Sequence, residues 1–200
     1  MNAATVNKVI CQNSSWDELW NQLTDPELIS RLNSILEAGR SGGHRTFKDA
    51  VEAQRPNKAK RSRTRDSARV DVFDVICKEK GRLSISGITD KHVTNWIAEL
   101  KGAVFERLTL LYLQTKPEYR SQLKNVWMYD DVPAKVRTHL KLPGSDKGID
   151  LIAETKENTY WAVQCKFRSD KNKPLNFEEL PTFTGLRSVW PNIAHGLVAH

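Results

Sequence analysis

Two short apolar stretches near the C-terminal end, Ile149 to Thr155 and Tyr160 to Phe167, are rich in β-branched and aromatic residues. The polar run Lys156-Glu157-Asn158-Thr159 between them reads as a turn, which predicts an antiparallel hairpin. Side chains alternate faces along a strand, so Trp161, Val163 and Cys165 share one face, expected to meet a core, while Gln164 and Lys166 share the other. The face of Asp150 depends on the parity of the turn. A three-residue turn at Glu157-Asn158-Thr159 places Asp150 opposite Lys166 on the same face, and a two-residue turn places it opposite Cys165. The odd turn is expected, because Asn158 tolerates the left-handed conformation needed near its end.

The N-terminal half reads as helices. Residues 1 to 13 carry little signal and suit a frayed end. Ser15-Trp16-Asp17-Glu18 is a capping-box pattern opening a helix to about Leu23. Thr24-Asp25-Pro26-Glu27 opens a second, with Leu28, Leu32, Ile35 and Leu36 on one face and a stop at Gly39. The two are expected to form a hairpin. Arg40-Ser41-Gly42-Gly43-His44-Arg45-Thr46 has the outward look of a phosphate loop but lacks the Gly-Lys-Thr/Ser ending, and a flexible loop explains it. A short helix near Phe47 to Ala53 precedes the basic, aperiodic run Arg55 to Arg65, the best linker in the chain.

Val70, Phe73, Ile76 and Cys77 then mark a helix ended by Gly81, and Thr89 to Leu100 another, with Val93, Trp96, Ile97 and Leu100 inward. This pair mimics a helix-turn-helix, but the connection Gly81 to Ile88 is longer than the three or four residues of that motif. A further helix, Ala103 to Gln114, is apolar almost all round and is expected to be buried on most sides. Glu106 emerges from it either as a rim carboxylate or as a ligand. Pro117, Pro133 and Pro143 interrupt the next segment, where Asn125 to Tyr129 suits a first strand and Asp130-Asp131 a solvated turn. Phe177 to Val189 reads as a helix and Ile193 to Ala199 as a last strand.

Composition narrows the class. Of 200 residues, 39% are hydrophobic and 28% charged, as in an ordinary globular protein. The net charge of +7 favours an acidic partner, nucleic acid being the commonest. Arg61, Arg63 and Arg65 in the linker, with Arg168, Lys171 and Lys173 after the second hairpin strand, are candidate phosphate contacts. No apolar run approaches the length of a membrane span and no signal-peptide pattern opens the chain, so a cytoplasmic protein with no membrane partner is expected. Cys11, Cys77 and Cys165 form no Cys-x-x-Cys pair and read as reduced thiols, Cys165 pointing away from the charged face. The histidines show no ligand spacing, which disfavours a zinc enzyme.

The charged set inside the hairpin admits two accounts. An Asp–Lys ion pair at the sheet rim would compensate the cost of partial burial. Alternatively, Asp150 binds Mg²⁺, a neighbouring oxygen adds a ligand, and Lys166 orients a water for attack on a phosphate. Asp150 followed by Gln164-Cys165-Lys166, fourteen positions on (164 − 150), resembles the Asp…(Glu/Gln)-x-Lys signature of the PD-(D/E)XK nuclease superfamily, in the Gln-x-Lys form of Mrr-like restriction nucleases. Lys101-Gly102-Ala103-Val104-Phe105-Glu106-Arg107-Leu108, with Tyr112-Leu113, Pro117-Glu118-Tyr119 and Val126-Trp127, is similar to the lead-in of such domains at the front of single-chain type I-like restriction enzymes and helicase fusions. Asp146 and Gly148 echo the family's Asp-x-Gly-Ile-Asp, with Asp146 a secondary candidate.

The resemblance implies an α/β restriction-endonuclease-like core, a small mixed sheet of about four strands flanked by helices, preceded by a helical N-terminal module. The expected divisions are a module over 1–54, a basic linker over 55–69, a helical segment over 70–100 and a nuclease domain over 101–200, truncated at its C-terminal end. It further implies a metal-dependent DNA endonuclease of a restriction system, with Glu106, Asp150, Gln164 and Lys166 catalytic and Asp150, Gln164 and Glu106 holding Mg²⁺, for which Mn²⁺ substitutes. Double-stranded DNA is the implied partner, with a fused or separate motor or methyltransferase component and dimerisation on DNA also in view. A repair or branched-structure nuclease, and a non-cleaving DNA-binding module of the same fold, are the competing readings.

Overall fold

The structure, a computed structural model, describes residues 16–55, 71–144, 148–168, 175–176, 190 and 192–200. The chain divides into two compact units, Met1–Val104 and Phe105–His200. No helix among the described residues is long and apolar enough to cross a membrane.

In the first unit, α1 (Trp16–Leu23), α2 (Leu28–Ser41), α3 (Phe47–Gln54) and α4 (Val72–Lys80) precede the start of α5 (Asp90–Thr115). The stripes expected of α2 and α5 are largely buried, with Leu28, Leu32 and Leu36 from α2 and Val93, Trp96, Ile97 and Leu100 from α5, whereas α4 buries Val72, Val75 and Ile76 in place of the expected set, Phe73 and Cys77 being only half-buried and Val70 lying outside the described residues. The first two helices are not the principal pair, because α2 packs on α3 while α1 meets α4. Gly39 does not end α2, which continues to Ser41. Its missing side chain serves the crossing instead: a Cβ there would lie 2.6 Å from the Ala50 Cβ and 2.5 Å from the Ile85 Cδ1. Thr24 caps no second helix either, its hydroxyl donating back to the Trp20 carbonyl at 2.9 Å while the Asp25 carboxylate takes the Glu27 N–H at 2.9 Å. Real caps stand at Thr46, which accepts from the Asp49 N–H, and at Asp71, which accepts from the Phe73 N–H. Lys80 is buried with its ammonium 3.0 Å from the Glu99 carboxylate and 5.9 Å from the centre of the Trp96 ring.

The helix break expected between Leu100 and Ala103 is absent, and Asp90 to Thr115 is one continuous helix. A single interior glycine costs about 1 kcal/mol relative to alanine, too little to interrupt strong helix-forming sequence on both sides of Gly102. Nor is its C-terminal part buried all round: Leu110 and Leu113 are, whereas Tyr112 is 49% exposed.

The second unit is a four-stranded mixed sheet flanked by helices. After α6 (Pro117–Arg120) come β1 (Leu123–Met128), α7 (Ala134–Leu140), β2 (Leu151–Thr155), β3 (Tyr160–Cys165) and β4 (Ile193–Ala199). Strand order is β1-β2-β3-β4, with the first three antiparallel and β4 parallel to β3. Both faces are covered. Leu110 and Leu113 of α5 meet Val126, Met128, Leu151, Ala153 and Val163 on one, while Tyr129, Leu140, Ile149, Ile152, Tyr160, Ala162, Trp190 and Ile193 fill the other. The 3-10 turn Tyr129–Asp131 and α7 are tied together by the Arg137 guanidinium, which donates to the Tyr129 carbonyl, and by the Tyr129 hydroxyl, 2.7 Å from the Pro143 carbonyl. This is the α/β architecture, a small mixed sheet of four strands flanked by helices, that the sequence implies.

Candidate active site

The hairpin turn has the expected odd length but lies one residue earlier than expected. Thr155 pairs with Thr159 through an N–H to carbonyl bond of 2.9 Å, so the three turn residues are Lys156, Glu157 and Asn158. Asn158 is left-handed, with φ of 60°. Thr155 selects this turn: its Oγ1 accepts the Thr159 N–H at 3.0 Å and its hydroxyl meets that of Thr159 at 2.8 Å. The register that follows pairs Leu151 with Val163, Ile152 with Ala162 and Glu154 with Tyr160. Asp150 is therefore level with Gln164, two residues short of the expected partner Lys166.

The ladder is distorted where it reaches Asp150. The Asp150 N–H donates to the Val163 carbonyl at 2.9 Å although Val163 is already paired with Leu151, so two residues oppose one, as in a β-bulge. The core confirms the break in alternation. Ile149 and Ile152, three apart, lie in the same cluster, whereas Leu151 lies in the other. At this kink the Asp150 carboxylate turns across the hairpin and accepts, through Oδ2, the N–H of the Gln164–Cys165 peptide at 2.5 Å. On the other side the Asp150 carbonyl accepts the Tyr129 N–H at 2.8 Å, fixing the residue between β1 and β3.

Gln164 follows Tyr160 and Ala162 on one face and is buried at 5% exposure. Its side-chain Oε1 is shut off from solvent and has no hydrogen-bond partner among the described residues. Leaving a buried carbonyl unsatisfied costs on the order of 1–3 kcal/mol, so the position is held against stability. Lys166 comes two residues later, its N–H bonded to the Ala199 carbonyl at 2.8 Å. Among the described residues its ammonium is in no ion pair.

Glu106 reaches the same neighbourhood from α5. The Phe105 and Phe167 rings meet at a tilt, 6.0 Å between centres, bringing the turn of α5 that carries Glu106 beside the segment after β3 that carries Lys166. The Cys165 thiol lies in the α5-side core yet does not point clear of the acids as expected. Burial pushes its pKa well up, the Asp150 carboxylate pushes it further, a hydrogen bond from Thr109 opposes, and Glu106 adds to the rise. The bulge explains this, since it turns Asp150 toward the Cys165 side. Asp150 and Glu106 thus converge about one buried thiol. Among the described residues no three His, Cys, Asp or Glu side chains form a metal-binding group.

Carboxylate and amide oxygens are the donor types that a hard divalent cation takes, and Asp150, Glu106 and Gln164 offer them with no thiolate or imidazole required, although Asp150 and Glu106 lie toward Cys165 while Gln164 follows Tyr160 and Ala162 on the other face of β3. Arg168, half-buried, follows directly after Phe167. Arg61, Arg63, Arg65, Lys171, Lys173, Asp146 and the expected helix Phe177 to Val189 lie outside the described residues. Sequence reasoning missed Thr109, Thr155 and the bulge. Only the two threonines that flank the turn, Thr155 and Thr159, offer a signal in the sequence.

Residues 114–198 match the model of a restriction endonuclease family. The match includes Asp150, Gln164 and Lys166 and begins eight residues after Glu106 (114 − 106). No curated protein matches the chain. Among solved structures, the ATP-dependent Type ISP restriction-modification enzyme LlaBIII bound to DNA is similar at 29% identity and a TM-score of 0.38, covering 54% of this chain. The chain spans 6% of that protein's length.

Proposed function

We propose that the second unit hydrolyses phosphodiester bonds of double-stranded DNA with a divalent cation, Mg²⁺ or Mn²⁺, as the nuclease part of a restriction system. The family match supports the class of enzyme. The observation that carries the metal dependence is the buried, unpartnered Oε1 of Gln164, next to a peptide bond whose N–H is held by Asp150. An oxygen kept desolvated and unsatisfied has a purpose if a cation completes it.

In this reading Asp150, Gln164 and Glu106 hold the ion. When bound, it supplies Lewis-acid stabilisation of charge building on the phosphate. The water oxygen bonds to phosphorus as one ester P–O bond breaks. Lys166, a donor with three N–H groups, positions that water or pairs with a phosphate oxygen. The bulge keeps the Asp150 carboxylate in place, because the Cys165 N–H restrains it before any substrate arrives. Gln164 contributes no charge where a Glu would, so the site alone holds the cation weakly and a DNA phosphate adds a ligand. Cutting both strands calls for two sites, supplied by two copies of the chain on DNA, and a motor or methyltransferase component would direct where cutting occurs.

The test is cleavage of supercoiled and linear DNA with Mg²⁺, with Mn²⁺ and with chelator, by the wild-type, Asp150→Asn and Lys166→Ala proteins, each checked for folding by circular dichroism. Metal-dependent nicking, lost in both variants, is expected. Retained nicking in folded Asp150→Asn overturns the site. DNA binding without cutting under any metal, equal in all three proteins, overturns the enzyme in favour of a binding module.

A further inference from the structure

The first unit carries a second feature suited to DNA, in a segment that the nuclease reading does not use. A cleft of about 580 Å³ opens between the loop that joins α2 to α3 and the loop that follows α4. Its lining brings together the guanidinium-bearing residues Arg40, Arg45 and Arg82 and the hydroxyl-bearing residues Thr46, Ser84 and Ser86. None of its lining residues is acidic.

The two loops hold each other. Thr46 and Ser84 form an antiparallel bridge, the Ile85 N–H donates to the Arg45 carbonyl at 3.1 Å, and the Phe47 N–H donates to the Leu83 carbonyl at 3.1 Å. Arg40 is fixed by donation to the Ile88 carbonyl at 2.5 Å. The segment from Arg40 to Thr46 is thus an ordered part of a two-loop structure and lends its basic residues to a cleft.

Charge matching sets these arginines apart. Elsewhere in the unit Arg31, Lys48, Arg55 and Lys80 are each within 4 Å of a carboxylate. Among the described residues Arg40, Arg45 and Arg82 are in no ion pair. Three like charges around one cleft give it a positive potential, screened in part by solvent and salt, that favours a bound anion. Guanidinium groups with hydroxyl donors beside them are the side chains that phosphate oxygens take.

We infer that this cleft binds backbone phosphates of double-stranded DNA, giving the protein a DNA contact separate from the nuclease site. The choice of DNA rests on the function proposed above; the anion-binding character rests on the cleft alone. The contact is sequence-independent and salt-sensitive, because each phosphate neutralised releases condensed counterions.

The experiment measures binding of a fluorescently labelled duplex by anisotropy, in chelator so that nothing is cut, at a series of salt concentrations. Wild type is compared with Arg45→Ala/Arg82→Ala and with Lys78→Ala/Lys91→Ala, which removes two exposed cations outside the cleft. The cleft variant is expected to bind about tenfold more weakly at low salt, with a log affinity against log salt slope shallower by about 1–2. The control variant is expected to lose little. Equal losses in both variants, or an unchanged affinity and slope in the cleft variant, overturn the inference. So does binding of inorganic phosphate that depends on Arg45 and Arg82 while duplex affinity does not. Arginine-dependent duplex binding by a protein that cuts nothing under any metal leaves the inference standing and the nuclease reading refuted.

Discussion

The carboxylate of Asp150 accepts the backbone N–H of Cys165 at 2.5 Å, across the hairpin and one peptide bond from Gln164. The proposed metal-binding acid is therefore also a structural acceptor. Asp150→Ala leaves that N–H unpaired and is expected to cost about 1–3 kcal/mol of stability, whereas Asp150→Asn keeps an acceptor and costs about 1. Both lose DNA cutting. Urea denaturation beside a nicking assay separates the two effects, and a fully stable alanine variant would show that the bond contributes nothing.

Gln164 sets activity against stability. Gln164→Leu removes the unpartnered carbonyl, so the metal-free protein is expected to gain on the order of 1 kcal/mol while cleavage disappears. Gln164→Glu puts a carboxylate in the same buried place, lowering the melting temperature in chelator and increasing the upward shift that Mg²⁺ produces. Thermal melts of the three proteins with and without Mg²⁺ check both signs.

Two glycines are expected to respond oppositely to alanine. At Gly39 the new Cβ meets Ala50 and Ile85 at under 3 Å, which should cost about 1–3 kcal/mol. At Gly102, in the interior of α5, a Cβ meets nothing within 4 Å, and helix propensity should contribute up to about 1 kcal/mol of added stability. Equilibrium unfolding gives both values, and the Ala50→Gly substitution should recover part of the loss at Gly39.

The Cys77 thiol is pushed up to about 11 from its ordinary 9.0, chiefly by burial, against the lowering effect of Arg55. The raised value favours the neutral thiol, so folding protects Cys77 and the protection fades as pH climbs through the window from 9 to 11. At pH 8 its thiolate population is on the order of 100-fold below that of the unfolded chain. Alkylation with iodoacetamide, read by mass spectrometry at the Cys77 peptide with and without urea, should show slow labelling in the folded protein and a steep rise above pH 9.

The strands and the chemistry they carry were legible for local reasons. β-Branched runs around a polar turn specify the hairpin, alternation along the second strand puts Gln164 and Lys166 on one face, and Asn158 supplies the left-handed residue. The stripes of the N-terminal helices were legible as well, because a period of 3.6 residues is written directly in the apolar positions. Boundaries that depend on small differences were not. Gly39 reads as a helix stop and the stretch about Gly102 as a gap between two helices, since propensity alone cannot tell a stop from a helix crossing or from a tolerated interior glycine.

By itself the sequence determined the element types, the antiparallel hairpin, the basic character and the spacing that puts forward Asp150, Gln164 and Lys166 as candidates, all of which follow from near neighbours in the chain. Only the tertiary structure decided that the ladder bulges at Asp150 and turns its carboxylate toward Cys165, that the Gln164 side chain is buried, and that arginines far apart in the chain share one cleft. Those outcomes depend on which segments pack against which, and free energies of packing between residues far apart in sequence leave no periodic trace along it.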